Sequence, residues 1–180
     1  MEENITRKKI WDQAGTAGLI LGLILSILML LNGLILNSNF NAAVSSITSM
    51  LLSIVRIGGY IVVMAYFMGL FAAANPKMVR SDAFRFGRAA AILSALIYAA
   101  TSFADAAYLN SEIYTTQYEA IIKTIEPIMG YDYKEGSEWI LNHVPHMTFF
   151  SCLANTAILG SVLAYILSRK LQIRPSGTDL

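Results

Sequence analysis

The chain has 180 residues, of which 56% are hydrophobic and 14% are charged, and its formal net charge is +1. Together with a mean hydropathy of +0.55, this composition excludes an ordinary soluble domain and indicates an integral membrane protein. The balanced charge gives no support for a nucleic-acid partner, and the single cysteine, Cys152, excludes an intramolecular disulfide.

Four segments are long and apolar enough to cross a hydrocarbon core about 30 Å thick, which takes roughly 20 residues of helix. They are residues 14–36, 47–74, 89–109 and 147–167. We therefore predict an all-α fold, a bundle of four transmembrane helices that forms one domain over residues 1–171, with a flexible tail at 172–180. The first segment follows a basic stretch, as a secretory signal does, but exceeds the usual 7–15 residues of a signal core, so we expect it to be retained.

The distribution of lysine and arginine predicts the orientation of these spans, because basic loops resist translocation. Three basic residues precede the first span, four lie between the second and third, and three follow the fourth, whereas the opposite side has two. Both termini are therefore predicted to be cytoplasmic. The basic group between the second and third spans is expected to rest on anionic lipid headgroups; it consists of Lys77, Arg80, Arg85 and Arg88.

The connection 110–146 is the one sizeable element predicted outside the membrane on the other side, and it carries six acidic residues. Its apolar residues recur at helical spacing over residues 111–125, which predicts an amphipathic helix ended by Pro127 and Gly130. A second short helix is expected to begin with Ser137 as its N-cap. The two would form an extracytoplasmic hairpin, either a lid on the bundle or a docking surface.

Small residues recur about one turn apart in three of the spans and predict close helix packing, since lipid supplies no hydrophobic drive for helix association. The pattern fits packing within one chain and also fits the interface of a homo-oligomer. The stripes include Gly18 and Gly22 in the first span, Gly87, Ala91 and Ala95 in the third, and Ala157 and Ser161 in the fourth.

Arg56 interrupts the second span, where an unpaired arginine is costly, and Asp105 lies in the outer part of the third span. Side chains lean toward the N-terminus of their helix, so these two lean toward each other, and we predict an ion pair between them. Further polar residues fall in the same half of the spans. They suggest either a satisfied network that holds the bundle in register or the floor of a water-filled vestibule, and they are Asn32, Thr101, Ser102, Asn155 and Thr156.

Catalytic chemistry is not indicated by any motif. His143 and His146 form a pair three residues apart, but Pro145 interrupts their helix and no second histidine pair exists, so we expect no metal site. The glycines of residues 15–22 lie within a span, not in a loop that could hold a phosphate. We expect no enzyme activity and no cofactor.

Four stretches resemble a family of small four-helix inner-membrane proteins from Bacteroidota that is catalogued as a domain of unknown function. They are GLILGLIL at residues 18–25, FRFGRAA at 84–90, EGSEWI at 135–140 and ILGSVLAYILSRK at 158–170. The resemblance covers about residues 10–171 and implies a bacterial inner-membrane location, with no catalytic residues to transfer.

Two functions are compatible with these features. The first is a non-enzymatic protein of the inner membrane that acts through association, with copies of itself or with another inner-membrane protein. The alternative is a small transporter or channel, in which Arg56, Asp105, Asn32 and Asn155 line an outward-facing cavity.

Overall fold

Six α-helices and one π-helical turn make up the part of the chain that the computed structural model describes, which is residues 7–36, 41–129 and 133–171. The π-turn, Asp105–Leu109, continues the third helix without a break. No strand occurs in these ranges, so the predicted all-α fold is confirmed. The helices are α1 (Arg7–Leu36), α2 (Ala42–Ala74), α3 (Arg80–Ala104), α4 (Ser111–Met129), α5 (Tyr133–Asn142) and α6 (Val144–Lys170).

Four of the helical stretches are long and apolar enough to cross a membrane, in agreement with the four predicted spans. These stretches make the chain consistent with a multi-pass membrane protein. The predicted tail at 172–180 lies outside the described residues. The four stretches are Lys8–Leu36, Ala43–Ala74, Arg80–Leu109 and Val144–Lys170.

Helix α3 is the central helix, with α1 parallel to it on one side and α6 antiparallel on the other. A Cβ atom added to Gly22 of α1 would lie 2.7 Å from the Ile97 Cβ, and one added to Gly87 of α3 would lie 2.7 Å from the Ala164 Cβ. The helices approach this closely because glycine has no side chain at either contact. The small-residue stripes of α1 and α3 thus lie in contacts within one chain.

The apolar core fills one half of the bundle, the half in which α1 begins and α6 ends, which we call the terminal end. Ile10, Ala14 and Leu21 of α1 belong there to one apolar cluster with Met64 and Met68 of α2. Phe71 of α2 stacks on Phe86 of α3, with ring centroids 4.3 Å apart. The opposite end, toward α4 and α5, we call the loop end.

Helix α2 is well packed over only part of its length. Its buried side chains, from Tyr60 to Phe71, all belong to the terminal half. None of the residues between Ala43 and Gly59 is buried. The loop-end half of α2 therefore contacts the bundle but has no fully buried residue between positions 43 and 59.

Helices α4 and α5 differ from their predicted limits. Helix α4 continues to Met129, beyond Pro127, and α5 begins at Tyr133, so Ser137 is an interior residue and not an N-cap. A glycine inside a helix costs only about 1 kcal/mol, which neighbouring turns can offset, so Gly136 does not stop α5.

Candidate functional site

Polar side chains of the four long helices collect in the loop-end half of the bundle, beyond the apolar core. The pair nearest to that core joins α2 to α3, where the Tyr60 hydroxyl lies 3.3 Å from the Ser94 hydroxyl. Ser94 also donates to the Ala91 carbonyl at 2.9 Å. From this level toward the loop end, several polar side chains lie between the helices, among buried apolar residues such as Met29 and Ala99.

Arg56 is the charged group at the centre of this region. Its Nη1 atom donates a hydrogen bond of 3.0 Å to the hydroxyl of Tyr98 on α3. The guanidinium carbon lies 6.0 Å from the centroid of the Tyr98 ring, at the limit of a cation–π contact. A guanidinium has five N–H donors, and one of them is used here.

The predicted ion pair between Arg56 and Asp105 is not formed. Tyr98 precedes Asp105 by seven residues on the same helix, about 10 Å along the axis, so an arginine that reaches Tyr98 does not also reach Asp105. The ion pair within 4 Å that the described residues do form lies at the terminal end, between Arg85 and Asp82 at 3.9 Å.

Asp105 instead fixes the corner between α3 and α4. It is 2% exposed, and its Oδ1 and Oδ2 atoms accept hydrogen bonds from Asn110 Nδ2 at 2.7 Å and from the Tyr114 hydroxyl at 2.9 Å. The backbone N–H of Asn110 donates to the Asp105 carbonyl at 2.8 Å, which closes the π-turn. Burial, and next the hydrogen bond to Asp105, raise the pKa of Tyr114.

This corner packs directly against α1. A Cβ atom added to Gly33 would lie 2.7 Å from Asn110 Nδ2 and 3.9 Å from Asp105 Oδ1. We call the hydrogen-bonded group of Asp105, Asn110 and Tyr114 the Asp105 clamp. A glycine is needed at position 33 of α1 for this clamp to pack against the helix. The roles of Asn110 and Tyr114 were missed from the sequence, because the π-turn that brings them to Asp105 has no periodic signal.

Thr101 and Ser102 lie at the interface of α1 and α3. Ser26 donates to the Thr101 hydroxyl at 2.9 Å, and Ser102 donates to the Met29 sulfur at 3.1 Å. The Thr101 hydroxyl donates to the Ile97 carbonyl. The single proton of Ser102 is shared between the Met29 sulfur and the Tyr98 carbonyl, which lies 2.9 Å away. The residues that were predicted to form one polar network therefore lie in several small, separate clusters.

Three side-chain oxygens in the same half are buried and have no protein hydrogen-bond partner. They belong to three helices and are Asn32 Oδ1 on α1, Ser49 Oγ on α2 and Thr148 Oγ1 on α6. Thr148 is 7% exposed as a whole residue. Buried polar atoms are normally paired with protein or ordered water, so this half of the bundle has sites suited to water or another polar guest.

Asn155 does not point into the polar region, which corrects its predicted place in the network. It is exposed on α6, whereas Thr156 is half-buried. The packing face of α6 contains Gly160, which contacts Tyr60 and Ala91, and Asn155 lies five residues away, about 140° around the helix. Sequence periodicity could not identify the packing face, because α6 is apolar on nearly all sides.

The basic group lies at the terminal end with all four side chains exposed. Arg88 lies over the Phe84 ring with its guanidinium carbon 5.5 Å from the centroid. On α6, Arg169 lies 4.5 Å over Tyr165 in the same manner. These contacts keep the charges at one end of the bundle and leave the guanidinium groups accessible. The four residues are Lys77, Arg80, Arg85 and Arg88.

His143 and His146 make aromatic contacts. His143 stacks on Trp139 at 4.4 Å, and its Nδ1 atom is 2.8 Å from the Trp139 carbonyl oxygen. His146 packs edge-on against Phe103 at 5.3 Å. Within the described ranges, no group of three or more potential metal ligands comes together.

Comparisons with known proteins give no relative for this chain. No family model matches it, and no similar protein is found among the curated proteins or the solved structures.

Proposed function

We propose that this protein is a multi-pass protein of a bacterial inner membrane, with both termini in the cytoplasm, that acts through association in the plane of the membrane and not as an enzyme. The orientation rests on the asymmetric distribution of lysine and arginine. The preferred partner is a second copy of the chain, with another inner-membrane protein as the other form of association.

Exposed Asn155 carries this proposal. It lies 11 residues from the start and 15 from the end of α6, near the middle of the helix, and forms no hydrogen bond to any described residue. Its exposed neighbours one turn along the helix are Ile158 and Leu159, which suit lipid. An asparagine facing hydrocarbon leaves donor and acceptor groups unsatisfied, and pairing with another helix removes that cost.

A two-fold dimer satisfies Asn155 simply. The carboxamide has both donors and an acceptor, so the same side chain from two copies can pair across a symmetry axis. Ser151 lies one turn away on this face, and Ala154 lies at its edge, about 100° around the helix. Both are small and exposed, and they permit close approach of a second helix. The glycines at 18, 22, 87 and 160 already contact other helices of the same chain, so they do not supply this interface.

Cysteine crosslinking tests the proposed dimer. In a Cys152→Ser background, Asn155→Cys should give a disulfide-linked dimer on mild oxidation of membranes, because symmetric residues at the axis approach within disulfide range. Thr156→Cys is the matched control, one position along and half-buried, and should remain monomeric.

Native mass spectrometry measures the same interface without a crosslink. The Asn155→Leu variant should lose most of the dimer, since an interhelical hydrogen bond contributes about 1–2 kcal/mol in model helices, and Thr156→Val should not. A foreign subunit at fixed stoichiometry, lost in Asn155→Leu, would replace self-association by a complex. A monomer in both variants and in the parent chain, with no crosslink at 155, would refute association through α6.

The second candidate, a small transporter or channel with an outward-facing polar cavity, is favoured by one observation. Arg56 belongs to the loosely packed half of α2, has a neutral partner, and uses one of its five donors in hydrogen bonds to the described residues. Such an arrangement suits a water-exposed cation better than a sealed structural pair.

A further inference from the structure

The loop-end half of α2 presents a polar face to the rest of the bundle. Its half-buried residues are Ser45, Thr48, Ser49, Leu52, Ser53, Arg56 and Gly59. At 100° per residue, all of them fall on one side of the helix, within about 80° of Arg56. The opposite side carries exposed apolar residues, among them Ile47 and Ile54. This half of α2 is therefore amphipathic, with its polar side turned inward.

An inward polar face in a membrane bundle requires partners, and the protein supplies few of them. Thr48 and Ser53 donate to carbonyls of their own helix, at 2.9 Å each. Ser49 Oγ is buried and has no protein partner, and neither have Asn32 Oδ1 and Thr148 Oγ1 on the facing helices. In proteins, buried hydroxyl and amide groups that lack a protein partner normally bind ordered water.

The polar face has a closed lower end. From Ser45 to Arg56 it extends 11 residues, about 16 Å along the helix axis. Beyond Arg56 toward the terminal end, Tyr60 and Met64 are buried in the apolar core. A solute entering from the loop end would therefore reach Arg56 last. One of the five guanidinium donors is used in hydrogen bonds to the described residues. Ser49, two turns nearer the loop end, has a hydroxyl without a protein partner.

We propose that the loop-end interface of α2 is an aqueous crevice that opens to the outer side of the membrane and binds an oxyanion, a phosphate or carboxylate group, at Arg56. A guanidinium presents paired donors that match the oxygens of these groups. No carboxylate of the described residues lies within 4 Å of Arg56 to occupy this position. The anion comes either from solution or from the headgroup of an outer-leaflet lipid. The site stands apart from Asn155, which is on the exposed face of α6.

Thiol labelling tests the crevice. In a Cys152→Ser background reconstituted in phosphatidylcholine nanodiscs, Thr48→Cys and Ser53→Cys, both half-buried on the polar face, should react with water-soluble methanethiosulfonates. Ile47→Cys and Ile54→Cys are the matched controls on the opposite face, and should react at least about tenfold more slowly because a thiolate is not formed in hydrocarbon. Equal rates on the two faces would overturn the crevice.

The charge of the reagent tests the role of Arg56. At Ser53→Cys, a sulfonate-bearing reagent should react faster than a trimethylammonium-bearing one, and the ratio should fall about tenfold with Arg56→Gln, since a cation at the end of a narrow polar path concentrates anions. Arg56→Lys should keep most of the preference, which shows that the effect of the glutamine variant is not misfolding. A preference unchanged by Arg56→Gln would overturn the assignment of Arg56.

Protection experiments then separate the two sources of the anion. In lipid-free maltoside micelles, inorganic phosphate should slow labelling at Ser53→Cys when Arg56 is present and not in Arg56→Gln, if the anion is dissolved. If the anion is a lipid headgroup, phosphate has no effect in micelles, and transfer to phosphatidylglycerol nanodiscs slows labelling only when Arg56 is present. Both results support an oxyanion site. Absence of protection in both media would overturn it.

Discussion

Arg56 donates a hydrogen bond to the hydroxyl of Tyr98, 3.0 Å away, so a charge in the middle of α2 is held by a neutral partner. On insertion scales a lone arginine at mid-helix costs roughly 2.5–3.5 kcal/mol. A hydrogen bond to a charged group offsets about 1.5–3 kcal/mol of such a cost. The contact with Tyr98 therefore stabilises the position of Arg56 but leaves four donors for water or an anion.

A double-mutant cycle on Arg56→Ala and Tyr98→Phe should show this coupling. We expect the two losses of thermal stability in detergent to be less than additive, with a coupling energy of about 1 kcal/mol or more, because each single change removes the same hydrogen bond. Tyr98→Phe keeps the ring and its packing, so the cycle isolates the hydroxyl.

The matched control pairs Arg56→Ala with Asp105→Asn. These residues have different partners, and their changes should add within about 0.5 kcal/mol. Strong coupling in this second cycle, with additivity in the first, would restore the direct ion pair and contradict the observed geometry.

The Asp105 clamp should be one of the most sensitive polar sites for stability. Asp105→Ala removes the acceptor for Asn110 and Tyr114 in a buried corner, and an unpaired buried donor costs about 1–3 kcal/mol. We expect a loss of about 2–4 kcal/mol in the free energy of unfolding and faster hydrogen exchange at the start of α4. Glu112→Ala, at an exposed carboxylate in the first turn of α4, is the control and should change stability by less than about 0.5 kcal/mol. Equal effects of the two variants would exclude the clamp.

Stability should depend on pH through Tyr114. Burial and the hydrogen bond to Asp105 raise its pKa above the ordinary value of 10.0, so the unfolded chain loses this proton at lower pH than the folded chain. The stabilising contribution is therefore complete below about pH 10 and is lost as the pH rises above it.

The measurement is the difference in unfolding free energy between the parent chain and Tyr114→Phe at a series of pH values. The difference should be constant from pH 7 to 9 and then shrink by at most about 1.4 kcal/mol per pH unit. Tyr108→Phe, at an exposed position, corrects for ordinary tyrosine ionisation. A difference that stayed flat to pH 11 would contradict the raised pKa.

The four long apolar helices and the all-α fold could be predicted because they depend on the length and apolarity of continuous segments. The positions of Gly22 and Gly87 also predicted close packing, since small residues one turn apart allow backbones to approach. These inferences need no knowledge of which helix is the neighbour.

The partners of the polar residues could not be predicted in the same way. The predicted membrane depths of Arg56 and Asp105 were similar, but they did not distinguish a carboxylate from a tyrosine hydroxyl two turns along the same helix. The π-turn, which joins residues five apart, redirects the end of α3 toward Asn110 and Tyr114 without a signal in the pattern of apolar residues. Asn155 was misplaced because an almost uniformly apolar helix does not show which side packs.

Glycine substitutions provide a test of the packing itself. Gly160→Ala places a Cβ atom 2.6 Å from the Ala91 Cβ and against the Tyr60 hydroxyl, and Gly87→Ala places one 2.7 Å from the Ala164 Cβ. Both contacts join α6 to the central helix, α3. The two backbones lie close together there, so the neighbouring atoms cannot shift without a loss of packing. We expect each variant to lose about 1–3 kcal/mol of stability, the usual cost of overpacking.

Gly58 and Gly69 on α2 are the matched controls, because a Cβ atom at either position meets nothing within 4 Å. Alanine there adds no clash and removes the helix penalty of glycine, which is about 1 kcal/mol, so these variants should be neutral or more stable in thermal unfolding. The opposite ranking, with α2 intolerant and α6 tolerant, would mean that α2 and not α6 packs most closely in the bundle. It would also place an unseen helix on the exposed side of α2, which would move the interface of association away from Asn155.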